Sequence, residues 1–419
     1  MEKVVITPAL QKEIDRQLSI IRRGVVDLLP EQEFVEKLAR SIHDDVPLRI
    51  KQGFDPTSPD IHIGHAVGIR KLKELQDLGH QIVLIVGDYT AMVGDPSGQS
   101  VTRPQLSYEA IKENAATYQE QFFRILDRSK TEVVWNGDWF QKMEFRDVMT
   151  LASRYTVARL LERDDFTIRY KAGTPISLHE LMYPLMQAYD SVAIRADVEI
   201  GGTDQTFNLL VGRSIQEAYG LEAQCILTLP LLVGTDGEKK MSKSIGNYIG
   251  ITDSPRDIFG KAMSIPDTLI YDYLRLATNV DDEELARYRQ ALDDPKTNPR
   301  DIKAALGKIL VDTYHEQGAG EAAAEEFDRM FRQNEVPDDI PELTTADLRK
   351  LEIDPQKAYL VHVIAKTGLS KSNSEARKLI DAGSVKMDGE KVTDPDYEFA
   401  LTREVILKVG KRRFLRLKP

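Results

Sequence analysis

Two short segments carry the residue types that phosphate chemistry needs. The first is Asp55-Pro56-Thr57 followed by His62-Ile63-Gly64-His65. It falls where a stretch that reads as a strand, Leu48 to Phe54, gives way to a helical pattern, and a helix start offers unbonded N–H groups and the positive end of a dipole to a phosphate. His62 and His65 lie three apart and share a helix face. Gly64 between them lets a flat adenine or ribose approach the backbone. The second segment is Lys239-Lys240-Met241-Ser242-Lys243-Ser244, flanked by Gly234, Gly237 and Gly246. Ammonium groups on a glycine-flanked loop can close over a triphosphate and neutralise charge as pyrophosphate departs. Each segment also has a plainer reading, as a ligand-free histidine pair and as a solvated basic loop. Neither G-x-x-x-x-G-K nor G-x-G-x-x-G occurs, so phosphate binding falls to these two segments together or to none. With no cysteine cluster or carboxylate at ligand spacing near the histidines, no metal site is expected.

The elements that must position these residues follow from hydrophobic periodicity. Leu48 to Phe54 reads as a strand, DPTSPD as a turn, and His62 to Leu78 as a helix with Val67, Ile69, Leu72, Leu75 and Leu78 at helical spacing, ended by Gly79. Ile82 to Val86 is short and β-branched, as a buried parallel strand should be. The same alternation returns at Asp197 to Ile200, Asp204 to Tyr219 and Gln224 to Val233, with a mostly helical insertion over about 103–193. Strand, helix, strand is the unit of a doubly wound sheet. Beyond Ser254 the pattern becomes helical: Thr268 to Ala277, Asp282 to Leu292, Pro299 to His315 and Glu321 to Phe331. The acidic, proline-marked stretch 334–355 reads as a linker. After it come a helix over Ala358 to Lys366, a second with Ser372 and Glu375 as a capping box, and hairpins around Asp388-Gly389 and Gly410.

The whole is an α/β chain: a Rossmann-like domain over 1–233, a helical domain over 234–333, the linker, and a small α+β domain over 356–419. At 419 residues one core is not enough. No apolar run approaches a membrane span and the N-terminus lacks a signal peptide, so a cytoplasmic location is expected. Cys225, the one cysteine, lies in an apolar run and reads as buried and inert. The net charge of -11 is unevenly placed, with 14 Lys+Arg against 8 Asp+Glu from Pro355 onward. A basic end on an acidic body suggests an anionic partner.

The residues then carry a resemblance. His62 to His65 reads HIGH and Lys240 to Ser244 reads KMSKS, which resembles the paired signatures of class I aminoacyl-tRNA synthetases in the family's order. GFDPT (Gly53 to Thr57), GDPSG (Gly94 to Gly98), YPLMQAYD (Tyr183 to Asp190) and IGGTDQ (Ile200 to Gln205) look like tyrosyl-tRNA synthetase, and the C-terminal segment is similar to the S-four type RNA-binding domain of bacterial members.

This resemblance implies that Asp190 accepts the phenolic hydroxyl of L-tyrosine, that Tyr183, Gln187 and Asp95 hold its ammonium group, and that Gln205 sits by its carboxylate. Gly202 and Asp204 would bind the ATP ribose and His65 the nucleotide, with Asp55, Gly64 and Met241 also lining the ATP site. Thr57 and His62 would meet the phosphates, Arg103 would add a contact from the loop after GDPSG, and Lys240 and Lys243 would stabilise the departing pyrophosphate. The partners implied are ATP with Mg2+, tRNA(Tyr) and a second copy of the chain in a homodimer. Each residue has a plainer role: Tyr183 and Gln187 could share a packed face, Asp190 could pair with Arg195, and Asp204 could cap a helix. Two departures stand out. Lys51-Gln52 precedes GFDPT where some members place a tyrosine as a second partner of the hydroxyl, and Gln99 stands where many carry a lysine. A tryptophan-specific synthetase and a non-catalytic RNA-binding relative are the alternative readings.

Overall fold

The computed structural model describes residues 4–56, 60–95, 107–243, 245–332, 340–410 and 413–419. The chain divides into two compact units, Met1–Ala324 and Glu325–Pro419.

The first unit is built on a six-stranded sheet of β1 (Asp27–Leu29), β2 (Arg49–Phe54), β3 (Gln81–Val86), β4 (Thr131–Trp135), β5 (Val198–Gly202) and β6 (Cys225–Leu229). Their order is β1-β6-β5-β2-β3-β4, parallel throughout except for β1 against β6. From β2 the chain proceeds to β3 and β4 on one side, whereas β5 and β6 lie on the other. The order therefore reverses between β2 and β5, and in such sheets ligands bind outside the carboxyl ends of the strands at that switch point. β3 and β6 are almost wholly buried, as parallel strands covered on both faces must be.

Among the described residues, eleven α-helices precede the end of the sheet. They are α1 (Pro8–Arg22), α2 (Glu31–Asp44), α3 (Ile63–Asp77), α4 (Thr90–Val93), α5 (Tyr108–Phe122), α6 (Gly137–Phe140), α7 (Phe145–Ala152), α8 (Val157–Leu160), α9 (Asp164–Lys171), α10 (Leu178–Ile194) and α11 (Thr206–Ala218). α3 buries Val67, Ile69, Leu72 and Leu75, as its spacing predicts. α10 opens on a reciprocal capping box between Ser177 and Glu180. The insertion is helical save for β4, which pairs with β3 and extends the main sheet. The mostly helical reading agrees with this but did not include the strand, which is short and only half-buried at the sheet edge, so its alternation is weak.

The expected helical segment is present as α12 (Pro255–Ala262), α13 (Ile270–Ala277), α14 (Asp282–Asp293), α15 (Pro299–Tyr314) and α16 (Ala319–Arg332). It belongs, up to Ala324, to the same compact unit as the sheet, where the sequence suggested a separate domain. Hydrogen bonds explain the merger: Tyr273 donates its hydroxyl to the Val233 carbonyl at 2.7 Å, Arg23 donates to the Val280 carbonyl at 2.8 Å, and Arg70 bonds Asn279.

The second unit holds β7 (Glu342–Thr344), α17 (Thr345–Lys350), β8 (Ala358–Tyr359), α18 (Leu360–Lys366), α19 (Asn373–Asp381), β9 (Val385–Met387), β10 (Glu390–Val392), β11 (Glu398–Phe399), β12 (Val405–Val409) and β13 (Arg413–Lys418). Five strands form a sheet in the order β10-β9-β12-β13-β7, and β8 pairs with β11. Val361, Ile364, Ala376, Ile380, Leu407 and Leu417 make its core. Residues 342–350 are a strand and a capped helix, not linker; their partner β13 lies some seventy residues onward, beyond the reach of a local pattern. The turn between β9 and β10 has Asp388 and Gly389 both at positive φ, as a two-residue hairpin requires. The expected capping box is one-sided: Ser372 accepts from the Glu375 amide, but the Glu375 carboxylate accepts from the Lys371 amide.

Candidate active site

The ends of β2 and β5 bring the two sequence segments together. α3 starts directly after β2, with His62 as its N-cap in extended backbone. The rings of His62 and His65 stack with centroids 3.8 Å apart and 17° between planes. His62 is buried and His65 half-buried, and Nδ1 of each is buried without a hydrogen-bond partner among the described residues. Burial, reinforced for His62 by His65 and for both rings by Lys243 and Lys240, pushes the His62 ring down to about 2 and the His65 ring down to about 4. Both are neutral imidazoles at physiological pH.

The lysine loop is stitched to this helix start. The Ile63 amide donates to the Ile249 carbonyl at 2.9 Å, the Ile251 amide to the Ile61 carbonyl at 3.1 Å, and His62 bridges Gly250. Met241 is buried, and a β-carbon added at Gly64 would lie 3.4 Å from its Cβ and 3.0 Å from the His62 ring. Gly64 is therefore a point of close approach. Lys243 Nζ lies 3.1 Å from Asp60 Oδ2, and Lys240 Nζ lies 2.8 Å from Asp204 Oδ2. Asp204 is thus an ion-pair partner, and Gln205 is the N-cap of α11. Asn247, which sequence reasoning missed, braces the loop: its side chain accepts from the Ser242 amide at 2.7 Å and donates to Asp236 at 2.8 Å.

A second cluster lies between β2, β5, α10 and α11. The inner face of α10 presents Tyr183, Gln187 and Asp190, spaced four and three apart. The Tyr183 hydroxyl donates to Asp55 Oδ2 at 2.8 Å, and Thr90 donates to Asp55 Oδ1 at 2.7 Å. Burial and the nearby carboxylates raise the Tyr183 phenol well above its usual value, so it is a neutral donor. Asp95 accepts from Arg163 at 3.1 Å and from Gln205 Nε2 at 2.8 Å. Asn208 donates to the side-chain carbonyls of Gln187 and Gln205, 3.0 Å each, and accepts from Arg163 at 3.2 Å. Asp95, Gln187 and Gln205 thereby form one polar network through Asn208 and Arg163, neither of which the sequence reading singled out. Asn208 stands one helical turn from Gln205, which was the available signal.

Asp190 is 3% exposed. It accepts from the indole N–H of Trp139 at 3.0 Å and from Asn136 at 3.4 Å, not from Arg195. Burial pushes its carboxyl up to about 7, against the opposing effects of Lys51, Asn136 and Trp139. A buried acceptor of this kind suits a neutral hydroxyl donor. Lys51 is itself buried and pairs with Glu199 at 2.9 Å. Gly202 closes the site beside Asp204, whose Oδ1 would lie 2.6 Å from an added β-carbon there. Thr57, Gln99 and Arg103 lie outside the described residues. No group of three or more histidine, cysteine or acidic side chains is arranged to hold a metal among the described residues.

Residues 43–332 match the family described as tRNA synthetases class I (W and Y), and residues 339–417 match the tyrosine–tRNA ligase SYY-like C-terminal domain. Tyrosine–tRNA ligase of Carboxydothermus hydrogenoformans is 51% identical over 97% of this chain and 98% of its own length. The chain belongs to the class I tyrosine–tRNA ligases. The family relatives of Moorella thermoacetica and Thermotoga maritima are 50% and 48% identical, each over at least 96% of both chains. Among solved structures, the tyrosyl-tRNA synthetase of Archaeoglobus fulgidus complexed with L-tyrosine superposes with a TM-score of 0.61 and 25% identity, covering 74% of this chain and 99% of its own. The tryptophanyl-tRNA synthetase of Plasmodium falciparum, at TM-score 0.58 and 17% identity over 76% of this chain and 89% of its own, shares the fold alone. The near full-length tyrosine ligases disfavour the tryptophan reading.

Proposed function

We propose that this family member activates L-tyrosine with Mg·ATP at the carboxyl ends of β2 and β5 and transfers it to the terminal ribose of tRNA(Tyr). The observation that carries this reading is the convergence of Lys240 and Lys243 on the helix start that holds His62 and His65. Asp190 accepts the phenolic hydroxyl, Gln187 and Asp95 hold the ammonium group beside Tyr183, and Gln205 lies by the carboxylate. Phenylalanine, which leaves a buried acceptor unpaired, is the disfavoured competitor; this enzyme class is the standard illustration of such hydroxyl-based rejection. Asp55, Gly64, Gly202, Asp204 and Met241 line the nucleotide, and the neutral His62 and His65 donate N–H groups to it. Thr57 and Arg103 join the phosphate contacts on resemblance alone.

The tyrosine carboxylate attacks the α-phosphorus, the bond to the bridging oxygen breaks, and Mg·pyrophosphate leaves. As ATP enters, its phosphates replace Asp60 and Asp204 as partners of Lys243 and Lys240, which then face the charge of the departing group. In the second step the ribose hydroxyl attacks the acyl carbon and AMP departs. Catalysis rests on placement and electrostatics, without a covalent enzyme intermediate.

The basic segment from Pro355 onward supplies tRNA contacts through phosphates. Phe145, Met149, Val157, Ile168, Tyr170 and Leu178 are exposed on α7 to α10, with Phe145 at 79%, which supports a homodimer through the insertion. Among the described residues no helix is long and apolar enough to cross a membrane; the proposed location is the cytoplasm. The test is ATP–pyrophosphate exchange with tyrosine and tryptophan in parallel. Tyrosine alone should support exchange, and Asp190→Ala should reduce it by about a hundredfold or more. Undiminished exchange in that variant refutes the assignment.

A further inference from the structure

Lys51 and Glu199 are directly opposed across the central strand pair β2 and β5. Alternation sets Lys51 on the same face of its strand as Gly53, and Glu199 on the same face as Gly201. Above Glu199 the space is filled, since a β-carbon at Gly201 would lie 2.9 Å from Gln205 Cβ, whereas above Lys51 the floor is open. A β-carbon at Gly53 would meet nothing within 4 Å.

The pair grips one turn of α10. Lys51 Nζ donates to the Gln187 carbonyl at 2.8 Å and to Ser191 Oγ at 2.7 Å. Glu199 accepts from Gln187 Nε2 at 3.1 Å, from Ser191 Oγ at 3.1 Å and from Gln224 Nε2. Gln187 is thus held by its backbone from one partner and by its side chain from the other, and Asp190 lies in the turn so fixed. Stability alone gives no reason for such a pair, because apolar residues of like volume serve a buried sheet at least as well.

We propose that Lys51 and Glu199 are positioning residues for tyrosine selection: together they set the Gln187 to Ser191 turn so that the Gln187 amide faces the ammonium group and the Asp190 carboxylate faces the phenol. This rests on the reading that Gln187 and Asp190 contact tyrosine. The titratable groups acting on Asp190 are Lys51 from β2, Glu199 from β5 and Tyr183 from its own helix, with the neutral donors Asn136 and Trp139 from the end of β4 and α6. The Lys51 charge favours the ionised carboxylate and the Glu199 charge opposes it, the lysine more strongly.

The experiment is ATP–pyrophosphate exchange by the full-length enzyme from about pH 6 to 9, with Lys51→Met/Glu199→Gln, Glu199→Gln, Gln187→Ala and Asp190→Ala. The double variant removes both charges and keeps the shape. Its tyrosine KM should rise about tenfold, its ATP KM should stay within about twofold, and the acid limb of its tyrosine KM should move to higher pH. Glu199→Gln alone should move that limb to lower pH, a sign that a general loss of packing does not produce, and it keeps the test open if the double variant does not fold. An unchanged tyrosine KM and unmoved limb in the double variant, or in Glu199→Gln where the double does not fold, overturn the proposal while leaving the pocket assignment standing. Unchanged tyrosine KM in Gln187→Ala and Asp190→Ala overturns both.

Discussion

At the scale of single residues, the site separates groups that titrate near neutrality from groups that do not. His62 and His65 are held neutral, down at about 2 and about 4, by burial and by the lysines that face them. Asp190 is pushed up to about 7. On the proposed role of Asp190 as acceptor of the phenol, the ionised carboxylate is the stronger acceptor, so tyrosine binding is favoured above that value and weakens as pH falls through it. The tyrosine KM should therefore rise on acidification while kcat for exchange stays level between about pH 6 and 8, where an ordinary histidine would titrate. A kcat limb near the usual histidine value would contradict the neutral pair. The two signature segments were legible because their residue types are rare in that order and spacing. Trp139 and Asn136 were not, since they reach Asp190 across about fifty residues through tertiary structure. The partnership of Lys51 with Glu199 was equally hidden, because it exists only once β2 and β5 pair.

Among the elements, β2, α3 and β3 fall within one or two residues of the expected bounds, whereas the strand expected over Gln224 to Val233 ends at Leu229 and β4 was not singled out. Short edge strands were invisible: β1 has three residues, and β7 is named only by its pairing with β13. The element that matters most for turnover is the lysine loop, whose charges are already paired. Asp60 is about half exposed and competes with phosphate for Lys243. Asp60→Asn should lower the ATP KM by about two- to fivefold, the range of an exposed ion pair, and raised salt should erase the difference. The turn from β3 into α4 is less forgiving. A methyl at Gly87 would sit 2.2 Å from both Asp55 Oδ1 and Thr90 Oγ1. Gly87→Ala should destabilise the fold by about 1–3 kcal/mol on thermal or denaturant unfolding and raise the tyrosine KM, because the Tyr183 contact to Asp55 shifts with it.

For the molecule as a whole, the division falls between residues 324 and 325, so the helical segment shares a unit with the sheet. Periodicity shows where helices are but not which core they join; that choice rests on contacts such as Tyr273 to Val233. The charge asymmetry was legible from composition and gives a test that separates the two steps. Raising salt from about 50 to 200 mM should increase the tRNA KM for aminoacylation steeply while exchange, which needs no RNA, changes little. Parallel loss of both activities would argue against an electrostatic role for the basic segment from Pro355 onward.

The stitching of the lysine loop to the helix start has one more consequence. Val233 grips the chain at Lys240, and His62 grips it again at Gly250. Between those points Asn247 braces the chain through the Ser242 amide and Asp236, so only a short flap is left to move, and an extended chain of the full span allows an excursion of roughly 15 Å at most. Turnover by such a flap displaces little solvent, so added glycerol or sucrose should leave the exchange rate nearly unslowed.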